Sequence, residues 1–231
     1  MQPLDRINPF ADRQVAQAYD AWYDEQLGAT VHRLQQELVL QLARPVAGER
    51  ALDVGTGTGH YAHRLATLGL TVSALDASAE MLAVAQSKPG EIDWRLADAH
   101  QLPFPENSFD LVVSVTALEF LKDPAAAIAD MLRVLRPGGR LVLGTLNARG
   151  PWGEMYREMG RDPASPFFHA RLLTSEELVA LLAPYGTVTW NSAVFVPPSG
   201  RGLALAAARE FLGRLFQRDR GALLVGKVVK R

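Results

Sequence analysis

The stretch Leu52-Asp53-Val54-Gly55-Thr56-Gly57-Thr58-Gly59-His60 decides the fold. An apolar run ends in three alternate glycines, and helix-forming residues follow at once. Such a turn lets the backbone approach a ligand that any Cβ would push away, and the helix that follows offers its amide-rich N-terminus. A second apolar run, residues 71–75, closes on Asp76, where a carboxylate can accept both hydroxyl protons of a ribose. The unit reads as a nucleoside-binding strand-turn-helix-strand. Spacing narrows the nucleoside. A dinucleotide fingerprint is G-x-G-x-x-G, whereas here the third glycine falls one residue early, at Gly59, and His60 takes its place.

Working outward, the chain alternates strand and helix signals. Strands are expected at 50–54, 71–75, 92–96, 109–115 and 140–146, with a helix from 60 to Gly69, another capped by Ser78, and a third from Pro124 to Leu135. This order implies a parallel sheet with helices on both faces. Upstream, residues 11–26 and 30–43 read as two helices, the second with Val31, Leu34, Leu38 and Leu42 at helical spacing. Downstream, 148–170 is rich in Gly, Pro, Arg and aromatics and reads as an inserted loop or lid. A helix at 178–182 and strands at 187–196 and 222–229 close the chain, the last two pairing antiparallel at one sheet edge. The expected organisation is one domain over 1–231: an N-terminal helical lid (1–47), a core (48–147), an inserted lid (148–172) and a C-terminal part (173–231) with an insertion at 197–220.

Composition bounds the functions. The 231 residues are 48% hydrophobic and carry a formal net charge of -1, which gives no general attraction to nucleic acid. Zero cysteines exclude disulfides, thiolate metal sites and a cysteine nucleophile, and no metal-ligand pattern stands out. The N-terminus has no signal-peptide core and no run approaches the ~18 apolar residues of a membrane span, so a soluble, cytoplasmic protein is expected.

The G-x-G-x-G turn, flanked by Asp53 and Asp76, resembles motifs I and II of the class I S-adenosylmethionine-dependent methyltransferases, in particular the small-molecule branch that includes quinone-ring methyltransferases. Further stretches share the resemblance: Asp76-Ala77-Ser78-Ala79-Glu80-Met81-Leu82, Asp98-Ala99, Leu102-Pro103-Phe104 with Ser108-Phe109-Asp110, and Arg136-Pro137-Gly138-Gly139. It runs from 52 to 146 with specific motifs and more loosely to the end. The resemblance implies a doubly wound α/β fold, Rossmann-like, with a mostly parallel seven-stranded sheet and an antiparallel last strand. It implies S-adenosylmethionine as cofactor, with Gly55, Thr56, Gly57 and Gly59 under its methionyl part, Asp53 at its amino group, and Asp76 on the ribose. Ala77 and Met81, which follow Asp76 in its motif, would be cofactor-binding too, Asp98 and Ala99 would meet the adenine amino group, and Thr116 would lie near the methyl group. Tyr19, in a Tyr-Asp-x-Trp-Tyr stretch that precedes motif I in this branch, would fold over the cofactor.

A sulfonium methyl is already activated, so alignment supplies most of the rate, and a base is needed only where the acceptor must lose a proton. His169, His100, His60, Glu119 and Tyr19 are the candidates; His169, behind Pro166-Phe167-Phe168 in the expected lid, and Tyr19 are the ones chosen. Glu119 either faces substrate or lies on a solvent-facing turn. Asp53 either meets the ligand or satisfies amides of the turn. The expected partner is a small-molecule acceptor, the expected activity in-line methyl transfer. Rivals are a non-methylating enzyme of the same fold, such as a carboxyl transferase or cyclase, and a non-catalytic cofactor-binding partner protein. In 201–220, five arginines alternate with Leu and Phe. The expectation is a helix packing its apolar face on the domain, with contact to a membrane surface as the alternative. The acceptor, the atom methylated and the oligomeric state lie outside what the motifs encode.

Overall fold

The computed structural model describes residues 9–231, so the first eight residues of the expected N-terminal lid lie outside the described residues. Seven strands form one sheet: β1 (Arg50–Val54), β2 (Thr71–Asp76), β3 (Ile92–Leu96), β4 (Phe109–Val115), β5 (Leu135–Leu146), β6 (Thr189–Ala193) and β7 (Leu223–Val229). Their order is β3-β2-β1-β4-β5-β7-β6. The first five run parallel, and β7 lies antiparallel between β5 and β6. Strand alternation sorts side chains between two cores. Ala51, Val72, Leu111 and Val142 face the helices α2 (Gln26–Ala43) and α3 (His60–Thr67). Leu52, Leu75, Val112 and Leu141 face α5 (Pro124–Val134) and α7 (Ser175–Leu182). Both faces of the central strands are therefore buried, as their near-continuous apolar sequence requires.

Several local signals hold. Ser78 caps α4 (Ala79–Gln86), its hydroxyl accepting the Met81 amide at 3.1 Å. Thr174 and Glu177 close a capping box at the start of α7. Arg140 on β5 donates two bonds to Glu49, at 2.8 and 2.7 Å, and further bonds to the carbonyls of Ala43 and Arg44 at the end of α2. That clamp ties the helix end to the start of β1, and the hydrogen bonds from Arg140 hold the Glu49 carboxyl below its usual range.

Other expectations are corrected. The break between the first helices falls at 23–25, between α1 (Arg13–Trp22) and α2, not at 27–29. Gly28 lies within α2, and the tight corner demands glycine there: a Cβ would sit 1.9 Å from the Trp22 carbonyl oxygen. Arg136-Pro137-Gly138-Gly139 does not leave the sheet. Phe109 pairs with Leu135 and Leu111 with Arg140, so the segment bulges out while β5 continues. The segment 148–170 is not all loop: it contains the helix α6 (Gly150–Met159), with Pro151 in its first turn, a position proline tolerates. Strand β6 stops at Ala193 because Val194 takes φ 71 and gives its amide to the Glu210 carboxylate at 3.0 Å. Glu210 belongs to α8 (Ala206–Phe216), which turns Ala206, Glu210 and Gly213 inward and leaves Phe211, Leu212, Leu215 and Phe216 exposed. The expected inward apolar face of this helix is thus overturned.

Candidate functional site

The carboxyl ends of β1 to β4 lie on one side of the sheet, and the order reverses between β1 and β4. In doubly wound sheets that point opens a crevice for ligands. The glycine turn leaves β1 there. Gly55, Gly57 and Gly59 all have positive φ, at 70, 54 and 85°. They serve different ends. A Cβ on Gly59 would meet the Trp94 ring at 2.8 Å, so that glycine allows helix α3 to seat on the sheet. A Cβ on Gly57 would face only the Tyr19 ring, at 3.8 Å, so Gly57 is the residue that keeps the backbone open towards the crevice.

Asp76, at the end of β2, is half-buried against this turn. Its Oδ2 accepts the Gly57 amide at 2.8 Å and its Oδ1 the Ser78 amide at 2.9 Å. A carboxylate has about four acceptor positions; two remain for a pair of hydroxyls. Burial raises the Asp76 pKa while the amides of Ser78, Gly57 and Ala77 hold it down. Asp53 is different. It is buried beneath the turn, accepts the Thr56 hydroxyl at 2.6 Å, and burial pushes its pKa up to about 7. Its bonds are those of a residue that organises the turn. Asp98, just past β3, accepts the His100 amide at 2.9 Å and lies 2.6 Å from the His100 Nδ1. Burial works to raise its pKa, but the His100 bonds and charge together outweigh it and lower the pKa. Ala99 and Met81 are buried and Ala77 half-buried along the same rim.

Thr116, at the end of β4, has φ 53, an unfavourable backbone state for a β-branched residue, of order 1–3 kcal/mol. Its amide is held by the Gly144 carbonyl at 2.8 Å. The strained turn sets Thr116 within hydrogen-bonding reach of the Tyr19 hydroxyl, which also accepts a bond from Tyr23 at 2.7 Å. Above the strand ends lies a layer of half-buried rings: Phe10 against Tyr19 and Phe120, and Phe167 against Phe120 and Tyr156, with centroids 4.9 to 6.2 Å apart. Helix α1 is fastened over the turn by Asp20. Lys88 donates to Asp20 at 2.6 Å and to the Thr58 carbonyl at 2.9 Å, and His60 Nε2 lies 3.0 Å from the same carboxylate. Burial and Lys88 lower the His60 pKa to about 4, so His60 is a neutral partner near pH 7.

The catalytic candidates separate. Tyr19 stands over the glycine turn. His169 is exposed, its ring edge-on to Phe168 at 4.8 Å, while its neighbour Phe167 is the residue that joins the ring layer. His100 is engaged with Asp98 and accepts the Asp123 amide through Nε2 at 3.3 Å. Glu119 is not on a solvent-facing turn: it is 1% exposed, its oxygens accept the Leu146 amide at 3.2 Å and the Thr145 hydroxyl at 3.1 Å, and burial raises its pKa to about 7. Its charge acts on both Tyr19 and Tyr156. The ring layer and the Asp20 latch were not foreseen. Their only sequence signal was the Tyr-Asp-x-Trp-Tyr stretch, which contains both Tyr19 and Asp20.

Residues 52–143 match the family model described as a methyltransferase domain. Over those residues the chain is similar to a methyltransferase domain. A demethylmenaquinone methyltransferase of Renibacterium salmoninarum is 40% identical over 147 residues, 62% of this chain and 61% of that protein. A malonyl-[acyl-carrier protein] O-methyltransferase of Yersinia pestis is 36% identical over 142 residues, 62% of this chain and 51% of its own length. The chain thus spans little more than half the length of the curated relatives it matches. Over almost the whole chain the fold resembles a Thermotoga maritima structure described as a SAM-dependent methyltransferase, possible histamine N-methyltransferase. Its TM-score is 0.70 at 22% identity, covering 95% of this chain and 97% of that one. The matched segment contains the turn, Asp76 and Asp98. The residues present fit S-adenosylmethionine: an open glycine at Gly57, a carboxylate at Asp76 with acceptor positions to spare, and an acidic rim at Asp98.

Proposed function

We propose that this chain is an S-adenosylmethionine-dependent methyltransferase acting on a small, ring-bearing or otherwise apolar acceptor. The observation that carries the reading is Asp76 set on the glycine turn, with acceptor capacity left over, directly beneath Tyr19. When bound, S-adenosylmethionine supplies a methyl group on a positively charged sulfur, activated for in-line displacement. Asp76 would hold the ribose hydroxyls, Asp98 and Ala99 would line the adenine end, and the open backbone of the 55–59 turn would lie under the methionyl end. Tyr19 and Thr116 face the reacting end of the crevice, and the rings of Phe10, Phe120, Tyr156 and Phe167 exclude water and hold the acceptor flat. Holding two reactants in register is worth about 7–11 kcal/mol of barrier, which makes positioning the main contribution of these residues.

The relatives support acceptor choice outside the matched core. Two of comparable identity are named for different acceptors, demethylmenaquinone and malonyl-[acyl-carrier protein], so residues 52–143 do not select it. For an acceptor that must lose a proton, Glu119 is the carboxylate we assign as proton acceptor, in place of His169. The sign follows from its raised pKa: the carboxyl is protonated and idle at low pH, so activity rises through about pH 7, and Glu119→Gln removes that limb. Incubation with labelled S-adenosylmethionine and a native small-molecule extract, then product identification, tests the reading. Calorimetric binding of both S-adenosylmethionine and S-adenosylhomocysteine, with a labelled small molecule, supports it. No heat with either sinks it; tight binding without any labelled product favours the non-catalytic rival.

A further inference from the structure

Helix α8 is amphipathic in the reverse sense. Its inward positions are Ala206, Glu210 and Gly213, and the Phe195 ring packs so closely beneath Gly213 that a Cβ there would fall 2.1 Å from it. Glu210 is consumed by the sheet: it accepts the amides of Val194 and Phe195 and is paired with Arg214 at 2.9 Å. The outward positions are Phe211 (68% exposed), Leu215 (61%) and Phe216 (74%), with Leu205 and Leu212 beside them. At 100° per residue they cover the half-circumference opposite the buried stripe, and Arg209 and Arg214 fall on its two flanks. Elsewhere among the described residues large exposed apolar side chains are scattered along the chain, such as Val46 and Leu96; here five occur within twelve residues. Contiguous exposed apolar surface of this kind marks an interaction site.

We infer that α8 docks the protein onto an anionic lipid surface, its Phe and Leu side chains entering the headgroup boundary and the surrounding arginines meeting the lipid phosphates. Charge selects this occupant. Exposed Arg201, Arg209 and Arg220 belong to the same segment as the ridge, with Arg218 engaged on the Trp190 ring, while both acids of that segment are already paired, Glu210 with Arg214 and Asp219 with Arg149 at 3.1 Å. A convex apolar ridge bordered by cations matches the interfacial helices that lie in a bilayer surface. A second copy packed ridge to ridge about a two-fold axis would set these arginines against their own equivalents. No helix among the described residues is long and apolar enough to cross a membrane, so the contact is peripheral.

The test is co-sedimentation of the full chain with phosphatidylcholine vesicles, with and without phosphatidylglycerol, beside light scattering over a range of protein concentrations. The expected result is pelleting with the anionic vesicles only, weakened by salt. The pair Phe211→Ser and Phe216→Ser should weaken it by about tenfold or more, and Arg209→Gln by about fivefold. Unchanged melting curves would show that the variants fold. Leu215→Ser, a single exposed change, provides a second variant. No pelleting, pelleting that survives the Phe and Leu substitutions, or a concentration-dependent dimer that those substitutions abolish would each overturn the inference, the last in favour of a second copy. Cofactor binding is not an input to any of these readouts.

Discussion

Helices α1 and α8 are both short, amphipathic and outside the family's matched core, yet they face opposite ways. Helix α1 presents Tyr19 and Trp22 to the body of the protein and fastens itself by Asp20 over the glycine turn. Helix α8 presents Phe211, Leu215 and Phe216 to solvent and fastens itself by a buried Glu210. The difference teaches that helical periodicity locates two faces without saying which is inward. One anchoring carboxylate decides it in each case: Asp20 reaches a lysine on the far side of the cofactor turn, while Glu210 reaches two unpaired strand-end amides.

The comparison can be broken most forcefully at Glu210. Glu210→Ala leaves the amides of Val194 and Phe195 and the Arg214 guanidinium without their partner, and should cost about 3 kcal/mol of stability, read from denaturant unfolding. If the loss is negligible, Glu210 is not what sets the orientation of α8. Next in size is the surface that α1 covers. Asp76→Ala should weaken S-adenosylmethionine binding by about 2 kcal/mol, while Asp53→Asn, which meets only the turn, should change it far less; equal small losses in calorimetry would mean the ribose lies elsewhere. Asp20→Ala should unlatch α1 for about 1 kcal/mol and speed cofactor release in stopped-flow measurements. The latch also has a pH sign. Partial burial works against it, but Lys88 lowers the Asp20 pKa, so the latch is present at neutral pH and is lost only as pH falls below the ordinary aspartate range. The smallest effect belongs to the outer face of α8: Leu215→Ser should alter stability by no more than about 0.5 kcal/mol, because that side chain is already in water. A large loss there would show that the ridge is covered within the chain.

The cofactor end was largely legible because it depends on local constraints. Positive φ at alternating positions demands glycine, a helix start after β2 demands a cap at Ser78, and a carboxylate at a parallel strand end lies beside the turn wherever the strands pair. Register then brings Asp76 to Gly57, nineteen residues away, with no further information. The helix within 148–170 was not legible. Gly150 and Pro151 signalled a loop by composition and a helix start by position, and only the packing of Trp152, whose indole donates to the Val196 carbonyl at 2.7 Å, selects the helix. Glu119 was ambiguous for a similar reason: four residues past the end of β4, a carboxylate faces water or a crevice according to what covers it.

The sequence by itself determined the strand-turn-helix core, its parallel order and the meeting of Asp76 with the glycine turn, because short-range sterics and hydrogen bonds write those directly into residue type. Only the tertiary structure decided that His169 is exposed while Glu119 is buried, that Asp20 closes α1 over the turn, and that α8 shows its apolar face to solvent. Each of these depends on partners from distant parts of the chain, Thr145 for Glu119, Lys88 for Asp20 and Val194 for Glu210, and burial is a property of the assembled neighbours rather than of the residue.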